Sequence, residues 1–150
     1  MSIIVKTQAE LDRIPLDTKE QIYIEFGTYG NPAIVKNGYL HSVVAIGDSF
    51  VRAMGNSFVT AKENSFVIAY NNSSVEAWDN SFVRARGNSS VTAYDNSYVA
   101  AFGNSSVKAW GDSSVKAYGN SSVDRLYTLE SILQIVNEIS KDNYIKIEFI

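Results

Sequence analysis

The chain has 150 residues, enough for one domain, and its 13 basic and 16 acidic residues leave a formal net charge of −3. It has no cysteine, which excludes a disulfide framework and any thiolate metal site. No apolar run reaches the length of a membrane span and MSIIVKTQAELD has no leader-like apolar core, so a soluble, cytoplasmic protein is expected.

Residues 1–38 read as an N-terminal cap. Ile3 to Val5 suits a short strand. Thr7-Gln8-Ala9-Glu10 has capping-box spacing, with Leu11 and Ile14 following on one helical face before Pro15 ends the helix. From Gln21 to Phe26, Ile22, Ile24 and Phe26 alternate with Tyr23 and Glu25, the period of a strand. Gly27 to Pro32 and Asn37-Gly38 are turn chemistry. Tyr39 to Ile46 places Val43 and Ala45 in the register of the octads that begin at Gly47 and reads as a degenerate first repeat.

Gly47 to Leu126 is ten uninterrupted octapeptides, from GDSFVRAM to GNSSVDRL. The third residue is always Ser and the fifth always Val; the seventh is Ala until Arg125 ends the series. Ser, Val and Ala at alternate positions give a strand period, and Gly, Asn, Asp or Glu at the first two positions supply a corner. If positions four, six and eight faced inward, Arg52, Glu76, Arg84, Lys108, Lys116 and Asp124 would all be buried, each at several kcal/mol. Ser, Val and Ala therefore fill a thin core, with the serine hydroxyls expected to bond to corner backbone.

Position four sets the size of the coil. From Phe66 to Ser106 it alternates aromatic and Ser, which requires two octads per turn. The fold expected is a mainly β, flattened two-sided β-solenoid of 16 residues per coil, with the repeat region at 39–126 and short α/β caps at both ends. Five octad-pair coils would make a rod of roughly 24 Å at ~4.8 Å per strand. The C-terminal cap, 127–150, should begin at Thr128 and carry a helix with Leu129, Ile132, Leu133, Val136 and Ile139 on one face, then a strand from Tyr144 to Ile150. Both caps protect the open ends of the stack.

The two faces differ. One should stack Phe50, Phe66, Phe82 and Tyr98 beside Met54, Tyr70, Arg86, Phe102 and Tyr118. The other should stack Trp78, Tyr94 and Trp110 beside Ser74, Ser90, Ser106 and Ser122. Aromatic ladders can be purely structural. Two apolar columns on one face also exceed what a monomer normally exposes, which makes Phe66, Tyr70, Phe82, Arg86, Tyr98, Phe102 and Tyr118 the candidate partner-binding residues. The row Trp78, Tyr94, Trp110 is the candidate for a carbohydrate ligand.

Other chemistry is sparse. His41 is the single histidine, so no catalytic base recurs with the serines, and zinc and copper sites have no donor set. Glu63, Asp79 and Asp95 fall at one corner, where calcium is conceivable, although Asp and Asn are ordinary turn residues. Seven basic residues face seven acidic ones within the octads, so no nucleic-acid-binding stripe is legible. No cofactor is expected.

The octads, of the form G/D-N-S-S/F-V-x-A-Y/W over residues 39–126, resemble a repeat of bacterial and phage-encoded β-solenoid proteins, and TQAELD followed by an alternating strand resembles the segment that precedes such arrays. The resemblance implies the solenoid fold and a phage or mobile-element origin, and for a small capped version it suggests an anti-CRISPR-like inhibitor of a host defence enzyme in the host cytoplasm. The expectation from the residues is a non-catalytic protein-binding solenoid. The alternatives are a structural or spacer protein, in a virion or as a homodimer through a solenoid face or the C-terminal strand, and a carbohydrate-binding module.

Overall fold

The computed structural model describes residues 1–36, 39, 43–128 and 132–133. The expected Asn37-Gly38 turn, His41, the expected C-terminal helix apart from Ile132 and Leu133, and the expected Tyr144–Ile150 strand lie outside these residues. The N-terminal segment forms β1 (Ser2–Val5), α1 (Gln8–Asp12), β2 (Gln21–Ile24), β3 (Ala33–Val35) and β4 (Val43–Ala45). Each octad then contributes one strand: β5 (Phe50–Ala53), β6 (Phe58–Ala61), β7 (Phe66–Ala69), β8 (Ser74–Ala77), β9 (Phe82–Ala85), β10 (Ser90–Ala93), β11 (Tyr98–Ala101), β12 (Ser106–Trp110), β13 (Ser114–Ala117) and β14 (Ser122–Leu126).

Among the described residues these strands form two parallel sheets, a long one ordered β1-β2-β4-β6-β8-β10-β12-β14 and a short one ordered β13-β11-β9-β7-β5-β3. Consecutive octads alternate between the sheets, and like positions pair one coil apart, as in Val67 with Val83 and Val75 with Val91. This is the two-octad coil that the alternation at position four requires. The stack also begins earlier than the octads. Strands β1, β2 and β3 already belong to the two sheets, on coils whose pairings step farther than 16 residues, as in Ile22 with Val43. Strand β3 is the element that the turn chemistry around Pro32 concealed.

The inward face is the one that charge burial selects. Val51 to Val107 at position five and Ala53 to Ala109 at position seven are at most 2% exposed and form one continuous core with Val5, Leu11, Ile22, Ile24 and Val35. Each buried Val contributes about 1.5–3 kcal/mol of transfer free energy, and its branched Cβ suits the strand.

The corners explain position one. All ten of its residues have φ between 54 and 71°, including Glu63, Asn71, Asp79 and Asp95. Gly, Asn and Asp adopt this left-handed backbone most readily. In most octads the position-three Ser N–H closes the turn on the carbonyl three residues earlier, as from Ser81 to Trp78 at 3.1 Å.

The serine hydroxyls do not behave as expected. Oγ of Ser49, Ser57, Ser65, Ser73, Ser81, Ser89, Ser97, Ser105 and Ser113 is buried without a hydrogen-bond partner among the described residues. The corner N–H groups are already engaged: Asn72 donates to Gly55, Ser73 to Tyr70 and Ser74 to Ser57. Ser121, in the last octad, does donate to the Tyr118 carbonyl, at 2.9 Å.

Departures from the repeat seal the ends. Thr7 and Glu10 complete a capping box on α1. The side-chain amide of Gln8 then meets the free edge of β3: Ile34 N–H donates to Gln8 Oε1 at 2.8 Å, and Gln8 Nε2 donates to the Ile34 carbonyl at 3.1 Å. The side chain occupies the place of a further strand. At the other end Arg125, in place of the repeat's Ala, is exposed and donates to the Ser113 carbonyl at 2.8 Å. Ile132 N–H bonds the Thr128 carbonyl at 3.1 Å.

Candidate functional site

The outward positions of the short sheet are four, six and eight of alternate octads. Position four gives a continuous ring stack: Phe50–Phe66, Phe66–Phe82 and Phe82–Tyr98 each have centroids 4.6 Å apart, with interplanar angles of 7, 13 and 18°. Tyr29 closes its N-terminal end edge-on against Phe50 at 5.6 Å. Position eight stacks Phe102 on Tyr118 at 4.8 Å, with the Arg86 guanidinium 5.8 Å from the Phe102 ring centre. Phe66, Tyr70, Phe82, Arg86, Tyr98, Phe102 and Tyr118 are thus brought onto one surface. All are half-buried except Arg86 and Tyr118, which are exposed.

Trp78, Tyr94 and Trp110 lie on the opposite, long sheet, as their octad parity requires. Trp78 and Tyr94 stack at 4.0 Å and 16°. Among the described residues no ring contact carries the row on to Trp110. The stacked pair hides the ring faces that a sugar would need, and the row offers edges. Beside it, Ser74 and Ser90 share a hydroxyl hydrogen bond of 3.1 Å.

The charges are sorted in a way that the balanced total concealed. Of the fourteen charged residues in the octads, Arg52, Arg84, Arg86 and Lys116 project from the short sheet, with no carboxylate at any outward position of β5, β7, β9, β11 or β13. Asp48, Glu63, Asp79, Asp95 and Asp112 all lie at the corner leading into that sheet. The other corner is built from Gly and Asn, and on the long sheet Lys62 and Lys108 offset Glu76 and Asp124. A surface with two aromatic columns and four cations therefore runs beside an acidic ridge.

Three of the five ridge carboxylates serve the backbone. Gly47 N–H donates to Glu63 Oε2 at 2.7 Å, Glu63 N–H to Asp79 Oδ2 at 3.0 Å, and Asp79 N–H to Asp95 Oδ2 at 3.3 Å. Each of these three acids thus bonds the corner N–H one coil earlier, a structural use of the column in which a calcium site is conceivable from sequence. Among the described residues no cluster of three or more His, Asp or Glu converges on a point, and the one ion pair is Lys6 with Glu25, at 4.0 Å.

Arg52, Arg84 and Lys116 share one column between the aromatic ridges, separated by Ile68 and Ala100. Nε of Arg52 and of Arg84 is buried without a partner among the described residues, and Lys116 Nζ lies 6.0 Å from the centre of the Tyr98 ring. Sequence reasoning missed these three as site residues. The signal that finds them is octad parity, which sorts the charges between the faces just as it sorts the aromatics.

No protein-family model matches the chain, and no curated protein or solved structure matches it.

Proposed function

We propose that the chain is a non-catalytic protein-binding solenoid that acts through the outward surface of its short sheet. The observation that carries this reading is the coincidence on one flat surface of two aromatic columns with four cations that, among the described residues, have no carboxylate partner. Aromatic and Arg side chains are the residue types that dominate protein interfaces. Structural ladders alone account for the rings but leave the segregation of charge without a role. The carbohydrate reading is weakened by the face-to-face packing of Trp78 and Tyr94. The resemblance of the octads to phage and bacterial solenoids suggests an inhibitor of a host defence enzyme as the kind of role such a binder would fill.

Affinity capture from the native host with three baits tests the reading. The parent chain should retain a specific partner. A variant with Phe66, Phe82 and Phe102 changed to Ser, checked for retained β-structure by circular dichroism, should lose it. A long-sheet variant with Trp78 and Tyr94 changed to Ser should keep it. Equal retention by all three baits, or loss only with the long-sheet variant, overturns the assignment of the surface.

A further inference from the structure

We propose that the segment received by the short sheet is an acidic polypeptide whose carboxylates repeat at about 10 Å, seated on Arg52, Arg84 and Lys116. This rests on the reading of the short sheet as the binding surface and specifies the chemistry of its partner. The register sets the spacing. The three cations occupy alternate coils of one column, hence two inter-strand spacings, about 10 Å, apart. An α-helix presents residues seven apart on one face at about 10.5 Å, so one acidic stripe can meet the column at successive points.

The cations are available to such a partner because no carboxylate among the described residues engages them. The nearest acidic column is held by corner amides, and the outward positions between the cations are apolar. A carboxylate placed between the aromatic columns would meet guanidinium and ammonium groups together with ring edges, which carry the positive end of the aromatic quadrupole.

Single-stranded nucleic acid, the other polyanion suited to a basic aromatic surface, fits less well. Base recognition on such a surface uses exposed ring faces, whereas the rings here cover one another at 4.6–4.8 Å and offer edges. The net charge of −3 means that whole-molecule attraction does not drive a polyanion to this chain, so binding must be local.

The test uses fluorescence anisotropy with the full chain and labelled oligoglutamate at low and at physiological ionic strength, with labelled oligothymidylate of equal length alongside. Oligoglutamate should bind the parent and weaken as salt rises. Arg84→Gln with Lys116→Gln should weaken binding at least about tenfold, whereas Lys62→Gln with Lys108→Gln, the same charge change on the long sheet, should leave it within about twofold. Arg52→Gln with Lys116→Gln is a second short-sheet pair, and circular dichroism confirms the fold of each variant. The proposal is overturned by no oligoglutamate binding, by equal loss with the long-sheet pair, or by tighter binding of oligothymidylate. If host capture through the short sheet succeeds while oligoglutamate fails to bind, only the acidic partner is disproved. If capture ignores the short-sheet variant, the binding surface itself is wrong.

Discussion

Replacing Gln8 should expose the free edge of the short sheet. In the parent, the two polar atoms of its amide satisfy both backbone groups of Ile34 on the outer side of β3, at 2.8 and 3.1 Å. Gln8→Ala removes these two hydrogen bonds, each worth about 0.5–1.5 kcal/mol net, and an exposed one from Nε2 to Asp12 Oδ1 at 2.9 Å that adds little, so a loss of about 2 kcal/mol is expected. Gln8→Glu should be at least as damaging: it keeps the acceptor for the Ile34 N–H but places a carboxylate oxygen against the Ile34 carbonyl. Native-state hydrogen exchange reads the site directly. A loss of about 2 kcal/mol corresponds to roughly thirtyfold faster exchange of the Ile34 amide, with amides in β9 and β11 little changed if the opening is local. Urea unfolding of both variants gives the global figure, and light scattering at rising concentration detects pairing through the bared edge. Unchanged protection at Ile34 in Gln8→Ala, or a Gln8→Glu variant as stable as the parent, would refute the strand-mimic role of this side chain.

Ser81→Ala should be neutral or stabilising by about 1 kcal/mol in urea unfolding, since its buried Oγ makes no hydrogen bond among the described residues; a clear loss of stability would mean that the hydroxyl has a partner. Tyr39 donates to the Leu11 carbonyl at 2.9 Å, and burial, followed by the charge of Asp12, raises its pKa above 10.0. A raised pKa in the folded state means that this stability is complete below pH ~10 and is lost as pH rises through the folded-state value. Tyr39→Phe should therefore flatten the alkaline fall in stability measured by urea titration, and an unchanged alkaline limb would contradict the linkage. Arg125→Ala restores the repeat's own residue yet removes the bond to the Ser113 carbonyl, so proteolysis should reach the last two octads sooner at a cost of about 1 kcal/mol. An unchanged cleavage rate there would show that Arg125 does not seal the end.

The central solenoid was legible because its determinants are local and repeated. Ser, Val and Ala at alternate positions specify a strand, the cost of burying Arg84 or Lys116 decides which way it faces, and the alternation of Phe82 and Ser90 fixes the coil. The first coils were less legible because they are irregular. Strand β3 is three residues long, comes directly after Pro32 and joins the stack only through its pairing with β5, a long-range contact that no local pattern encodes. The unpartnered serines were misread for a related reason. A buried hydroxyl is expected to bond, but whether a free group lies within reach depends on how the corner amides pair between coils.

The candidate surface divides in the same way. Its aromatic columns could be read from octad parity, and the structure places all seven of the singled-out residues on one sheet. Its charge could not be read from the balanced count, because a total cannot report that five acids share one corner and four cations the neighbouring sheet. The engagement of Glu63, Asp79 and Asp95 by backbone N–H groups one coil earlier is a three-dimensional fact, as is the lack of any carboxylate partner for the four cations among the described residues.

Photo-cross-linking distinguishes the two sheets as binding surfaces. A benzophenone amino acid would replace Tyr98 on the short sheet in one variant and Tyr94 on the long sheet in another, and each would be irradiated in host extract. A discrete cross-linked protein is expected from position 98, competed away by oligoglutamate, and none from position 94. Cross-linking from position 94 alone, or equal yields from both positions, would contradict it.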